Sequence, residues 1–363
     1  MSNHRTTPLA SVRRAAAPTL AQRLAVPSWS SWKALVSHIV IPLFLATGMA
    51  LAYLGAFHAP SPHNLPVAVV GQGPEAKVFA QMLNDKAPDK LDVKTVADHA
   101  TAERQVRDRD ISAAYENDGT HATLIVATAA SATTAEVTQK LFLPIAYQQN
   151  LPLQIDDVVP VGSGDATGQG LFFLMVALTI GGYASAIAVA AATVAMKVLW
   201  RFAVAAIVSG VIAGIGLIVA GPIFNVVTAQ QWPIGLMAWL YVFGIISIGV
   251  GLHPVLGKWT TPTLTFLFVM LNITSCGGIF AQPMQPALFS GLNSFWNGAA
   301  WIDAVQSLLY FPGRQFGFDG LRLALWAAAG ITLVVITHTW SVRKRRLADE
   351  AIPFTEEDAV IAA

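Results

Sequence analysis

The sequence predicts an α-helical polytopic membrane protein: six transmembrane helices, both termini cytoplasmic, and a small extracytoplasmic α/β domain inserted between helices 1 and 2. Three observations lead there. Charged residues make up 12% of the 363 and hydrophobic residues 54%, whereas ordinary soluble domains carry about 25% charge. Six stretches, at about 36–57, 171–194, 202–220, 234–252, 263–280 and 321–340, reach the roughly 20 apolar residues that a bilayer core requires. Between the first two lies a polar segment, residues 58–168, long enough for one folded domain.

Residues 1–34 form a basic tail, with Arg5, Arg13, Arg14, Arg23 and Lys33 and no acid. In "PSWSSWKAL", Trp29, Trp32 and Leu35 have a spacing that suits an interfacial helix. The apolar run 35–57 exceeds the usual 7 to 15 residues of a signal h-region, so it reads as an uncleaved anchor. In the polar segment, "LPVAVVG" reads as a strand ending at Gly71. "PEAKVFAQMLND" has helical spacing, with Pro74 in the first turn and Val78, Met82 and Leu83 near one face. "LDVKTVA" alternates with period two, and "HATAERQVRD" is helical. "ISAAYEND" and "HATLIVATA" form a hairpin through Asn117, Asp118 and Gly119. A helix over about 133–149 is expected to kink or break at Pro144. The extended "LQIDDVVPVG" then leads back to the membrane, with Asp157, Pro160, Asp165 and Gly168 as the hinge between domain and membrane. These pieces make a sheet of three to five strands whose order periodicity does not give.

Residues 169–341 are the five-helix membrane domain, and 342–363 a cytoplasmic tail. Lys197, Arg201, Lys258 and Arg343 to Arg346 fall on the same side as the basic tail when six helices alternate. The positive-inside rule makes that side cytoplasmic and residues 58–168 extracytoplasmic. Trp29, Trp32, Trp200, Trp232, Trp301 and Trp340 lie near span boundaries, where indoles prefer to sit. Gly210 and Gly214 form GxxxG, a helix-packing or homodimer face. After the fifth span, "TSCGGIFAQPMQPALF" breaks an apolar run with two glycines and two prolines, opening a broken outer-leaflet segment, 275–320.

Several function classes lose support. None of the 43 Asp, Glu, Lys and Arg lies deep inside a span, and Arg322, at a span end, is expected to snorkel. Ion-coupled transporters generally keep carboxylates there. The segment 58–168 holds 14 acids against 8 bases, which disfavours nucleic acid. "GLHPVLGKW" has five residues between its glycines and Trp259 where a P-loop needs Ser or Thr, so ATP would need a separate subunit. His38 and His338 read as interfacial packing, and His58 and His63 are split by prolines, so no metal or cofactor is expected. Without GxSxG, HExxH or CxxC no enzyme class gains support, and the single Cys276 excludes an internal disulfide.

The layout resembles the type-2 ABC exporter permease superfamily, and within it the phage-infection-protein-like bacterial membrane proteins. Three stretches carry the resemblance: "LPVAVVG", "DVVPVGSGDATGQGLFFLMVALTIGGYASA" and "SCGGIFAQPMQPALFSGLNSFWNGAAWIDAVQSLLYFPG". It implies a bacterial plasma-membrane protein, dimeric, exporting an apolar or amphipathic substrate with a separate ATPase. It also implies that the broken segment re-enters the outer leaflet as a gate, turned by Gly277, Gly278, Pro283 and Pro286. Phe280, Leu288, Phe289, Trp296, Trp301 and Leu308 would form its apolar cap, and Asp303 would start the next helix. The basic "MKVLWR" departs from the acidic coupling element of ATPase-linked relatives. The alternative is a non-transporting scaffold or surface receptor whose outer domain binds a partner.

Overall fold

The computed structural model describes residues 29–312 and 317–350. Arg5, Arg13, Arg14 and Arg23 of the basic tail, Gly313 and the terminal "FTEEDAVIAA" lie outside the described residues. The chain divides into two compact units, Met1–Phe44 and Leu45–Ala363. Helix α1 (Trp29–Phe57) starts in the first and is continuous through 29 residues. The interfacial helix expected at Trp29, Trp32 and Leu35 is therefore the opening of α1 itself, with Lys33 Nζ 5.8 Å from the centre of the Trp29 ring.

In the second unit, β1 (Leu65–Val70), β2 (Leu91–Val96), β3 (Ala113–Asn117), β4 (Ala122–Val126) and β5 (Leu153–Asp157) form one sheet in the order β2-β1-β3-β4-β5. Only β3 and β4 are antiparallel, with Asn117 opposite Ala122. Their turn closes because Asp118 Oδ1 accepts the backbone N–H groups of Thr120 and His121, each at 2.7 Å, while Gly119 supplies a φ of +88°. Helices α2 (Pro74–Lys86) and α4 (Thr128–Gln148) pack on a core of Leu65, Val67, Tyr115, Leu124 and Phe142. Helix α3 (His99–Arg107) packs on the other face with Ala68, Val96 and Ile125.

Two sequence expectations need correcting here. Of the face expected on α2, Leu83 is buried and Met82 packs against the sheet core, but Val78 is 69% exposed and Ala76, Phe79 and Ala80 complete the packed side instead. The break in α4 falls at Ser131, not Pro144: Ser131 has extended backbone and its Oγ accepts the Thr134 N–H at 3.2 Å, so a new helix starts there with its own cap. Pro144 sits inside that helix.

The remaining helices are α5 (Gly170–Ala192), α6 (Val198–Ile218), α7 (Gln231–Leu256), α8 (Thr260–Leu264), α9 (Ile273–Ser275), α10 (Ala287–Asn293), α11 (Asn297–Tyr310) and α12 (Gly317–Glu350). A π-helical turn at Val219–Ile223 extends α6, and another, Thr265–Asn272, joins α8 to α9. Among the described residues five helical stretches are long and apolar enough to cross a membrane: His38–Phe57, Gly170–Ala192, Val198–Ile223, Gln231–Ser275 and Gly317–Leu347. The fourth, 45 residues long, takes in the run read as 234–252 and the run read as 263–280 as far as Ser275.

Helix α7 is the buried centre of this part, with every residue from Tyr241 to Gly251 buried. Small residues let its neighbours approach. A Cβ on Gly330 of α12 would stand 2.7 Å from Ser247 Cβ, and one on Gly249 would stand 2.6 Å from Ala186 Cβ of α5. Of the pair read as GxxxG, Gly210 faces Trp239 and Gly214 faces open space.

Candidate functional site at the sheet junction

The chain that follows the Gln231–Ser275 run packs against the sheet core. Gly277 turns it at a φ of +84°, a region that disfavours any side chain. Gly278 lies so close to Phe172 that a Cβ would stand 2.8 Å from the ring. Asn293 Nδ2 donates to the Ser275 carbonyl at 2.8 Å and braces the turn. Thr133 Oγ1 of α4 donates to the Ile279 carbonyl. The His63 N–H donates to the Pro283 carbonyl at 2.7 Å.

The apolar cap expected of this segment is split between two cores. Phe280 packs against the sheet core and meets Phe57 at 6.1 Å, and Met284 is fully buried in that same core. Phe311 belongs to the core on the opposite face of the sheet. Trp296, Trp301 and Leu308 pack among the apolar helices instead, Phe289 lies against Gly55, and Leu288 is 65% exposed. Pro286 is the residue before α10, where its missing N–H leaves no bond unmade.

Asp303 does not start a helix. Helix α11 begins at Asn297, so Trp301 and Asp303 both sit inside it. Its start is capped from a distance by Asn272, whose Oδ1 accepts the Gly298 N–H at 2.7 Å. Asn272 Nδ2 donates to Tyr241 Oη at 2.8 Å, and that hydroxyl pairs with Thr179 Oγ1 at 2.6 Å. This buried chain ties α5, α7, the π-helical run and α11 together, with Trp301 6.1 Å from the Tyr241 ring.

Asp303 takes a different part. Its Oδ1 accepts from Arg109 Nη2 at 3.1 Å, linking α11 to the loop after α3, and the Arg109 guanidinium also lies 5.6 Å from the centre of the Phe311 ring. This pair walls a cavity of about 260 Å³ between sheet and helices, lined also by Ser131, Thr134, Cys276, Gly277, Pro283, Asn293 and Gln306. Arg109 Nη1 and Gln306 Oε1 are buried with no partner among the described residues.

A second recess, of about 680 Å³, opens between α5 and α6. Phe173, Leu174, Leu178, Ile212, Ile215 and Val219 make it apolar, and Asp165 and Thr167 lie among its lining. Asp165 caps α5, its two oxygens accepting the Gln169 and Gly170 N–H groups at 3.0 and 2.9 Å. Asp157 does the same for α4, accepting the Thr128 N–H at 3.1 Å and its hydroxyl at 2.5 Å. Of the four residues read as a hinge, Asp157 and Asp165 thus cap helices, Pro160 is exposed between them and Gly168 has a φ of +66°.

Arg322 corrects another expectation, for it does not snorkel. Its side chain is 13% exposed, and Nη2 donates to the Asn293 carbonyl at 2.7 Å and the Trp296 carbonyl at 3.3 Å. The Asn293 carbonyl, at the C-terminus of α10, has no intrahelical donor, and the Trp296 carbonyl precedes α11, so both are open to the guanidinium. Nη1 reaches Asp319 at 3.2 Å.

Where α3 meets β5, His99, Glu103 and Asp156 bring ligand-type atoms within 4.8 Å of one another. His99 Nδ1 pairs with Glu116 at 2.6 Å, and Nε2 lies 3.6 Å from Asp156 and 3.9 Å from Glu103. His99 Nε2 with Glu103 and Asp156 can hold a divalent cation, or the three carboxylates, with Glu116 on the other ring nitrogen, can hold a protonated imidazolium as the cation itself. The second is supported by His99, whose pKa is raised by its hydrogen bond to Glu116 and by the surrounding carboxylates.

Sequence reasoning missed Arg109, Met284, Tyr241 and Thr179, and misread Arg322. Asn272 was findable, because an unpaired amide in an apolar run is costly and asks for a partner. Arg109, in "VRDRD", gave no such signal. No family model matches the chain, and neither a curated protein nor a solved structure does.

Proposed function

We propose that this is a permease-like membrane protein that handles an apolar or amphipathic molecule. The observation that carries the reading is the 680 Å³ apolar recess between α5 and α6. Its size lies in the roughly 300–1,000 Å³ range of small-molecule sites, and its polar lining at Asp165 and Thr167 suits a headgroup above a hydrocarbon body. The chain is read as six spans with both termini cytoplasmic and the sheet outside, in a bacterial plasma membrane. A straight helix of the 45 residues from Gln231 to Ser275 would run about 68 Å, over twice a core of roughly 30 Å. Gly257, at a φ of +53°, is where the chain would reverse. In this reading the chain dimerises, resembles the type-2 ABC exporter permeases and relies on a separate ATPase.

A second reading, a scaffold or receptor, is favoured by the loop between α5 and α6. It is only residues 193–197, which leaves little for an ATPase to grip. Purification from the native membrane separates the two. The permease reading expects a co-purifying ATPase whose hydrolysis depends on this chain, rises with an added amphiphile and loses that rise in Leu178→Trp, which fills the recess. Consistent absence of an ATPase sinks it and leaves the scaffold.

A further inference from the structure

At the far ends of the helices from the sheet, a pocket of about 470 Å³ gathers basic side chains. The end of α5, the start of α6 and the ends of α7 and α12 meet there, bringing together Arg201, His253, His338, Lys344 and Arg345, with Trp340 beside them. No carboxylate is among its described lining residues. The sequence treated Arg201 as a marker of orientation and His338 as packing; the structure puts them in one concave site.

Arg201 is the residue that asks for a ligand. It is 8% exposed, its Nη2 donates to the Val194 carbonyl at 2.6 Å, and its Nε is buried with no partner among the described residues. A buried guanidinium is costly unless an opposite charge faces it, and the charged side chains that share this pocket are cations. An anion completes the arrangement.

We propose that this pocket binds the phosphate of an anionic phospholipid. Phosphate is the anion a guanidinium fork matches in two hydrogen bonds, with a lysine adding a point charge. The lipid source follows from the walls. Ala190, Val194 and Val250 continue the pocket into the apolar helices. Trp340 and Trp200, 50% and 62% exposed, are the residue type that settles at headgroup level, and Lys344 Nζ lies 5.4 Å from the centre of the Trp340 ring. Basic pockets between helix ends at a membrane surface are suited to such headgroups.

The proposal does not rest on the transport reading. The test is native mass spectrometry of the full chain in detergent, titrated with phosphatidylglycerol or phosphatidylcholine. Phosphatidylglycerol is expected to bind at least about tenfold more tightly, and Arg201→Gln with Arg345→Gln to remove that preference. Equal affinity for the two lipids overturns the proposal. Lys344→Gln with Arg345→Gln alters only exposed side chains and spares the fold if Arg201 cannot be replaced; an unchanged lipid preference there overturns it as well. Millimolar inorganic phosphate, added without lipid, separates the sources. Thermal stabilisation by phosphate equal to that by phosphatidylglycerol would assign the pocket to a soluble phosphate and end the lipid proposal.

Discussion

Arg109 and Asp303 are far apart in sequence yet share one charge-assisted hydrogen bond across the sheet junction, with side chains 19% and 30% exposed. Removing either partner strands the other at a partly buried site, so Arg109→Ala or Asp303→Ala is expected to destabilise by about 1–3 kcal/mol. The double variant should cost less than the sum, with a coupling of about 1 kcal/mol in a thermal-unfolding cycle. Strict additivity would mean that the pair does not hold the junction. His99 gives a pH signature. Its folded pKa is raised, first by its hydrogen bond to Glu116 and then by the charges of Glu116, Glu103 and Asp156. Stability from a raised imidazole is complete below the unfolded value near 6.5 and is lost as pH climbs through the folded value. The sheet should therefore melt higher at about pH 6 than at about pH 8, and Glu116→Gln should flatten the difference. Neither partnership was legible in the sequence, since Arg109 and His99 sit among many other charges and only the fold chooses between them.

Elements were legible where local rules suffice. The β3–β4 turn, with Asp118 taking two N–H groups, and Pro74 at the start of α2 lie within a few residues of their causes. Two expectations failed, one through a local serine cap that was overlooked and one through a distant partner. Ser131, not Pro144, breaks α4, and the start of α11 is set by Asn272, in another element. After Ser275 the chain turns at Gly277, at a φ of +84°, but hydropathy cannot say which core the following apolar residues join. Met284 joins the sheet core. Met284→Ala is expected to destabilise by about 2–5 kcal/mol, as buried Met to Ala changes do. Its position makes the readout specific: amide exchange should rise in β1, β3 and β4 more than in α5 or α7. A uniform rise along all helices would place Met284 in the wrong core.

Across the second compact unit, the sheet depends on residues far along the chain. Phe280 and Met284 pack on one face, and Tyr310 and Phe311 on the other, all from the stretch that follows Ser275. Arg322 then holds that stretch to α12 through the Asn293 and Trp296 carbonyls. Contacts therefore run without a gap from the sheet through the stretch after Ser275 to α12. Folding follows the same connection. Residues 58–168 read from sequence as one folded domain, but excised they would expose the surfaces under Met284 and Phe311 on opposite faces of the sheet. Burial of large apolar side chains contributes about 1.5–3 kcal/mol each, while a whole domain is stable by only about 5–15 kcal/mol. The excised fragment is expected to melt far below the sheet of the full chain, or to show poorly dispersed amide resonances. A fragment that unfolds cooperatively at the temperature of the full-length sheet would mean that the contacts on both faces are incidental. The junction would then be a surface where two independent bodies touch, and motion of the sheet would not reach the helices.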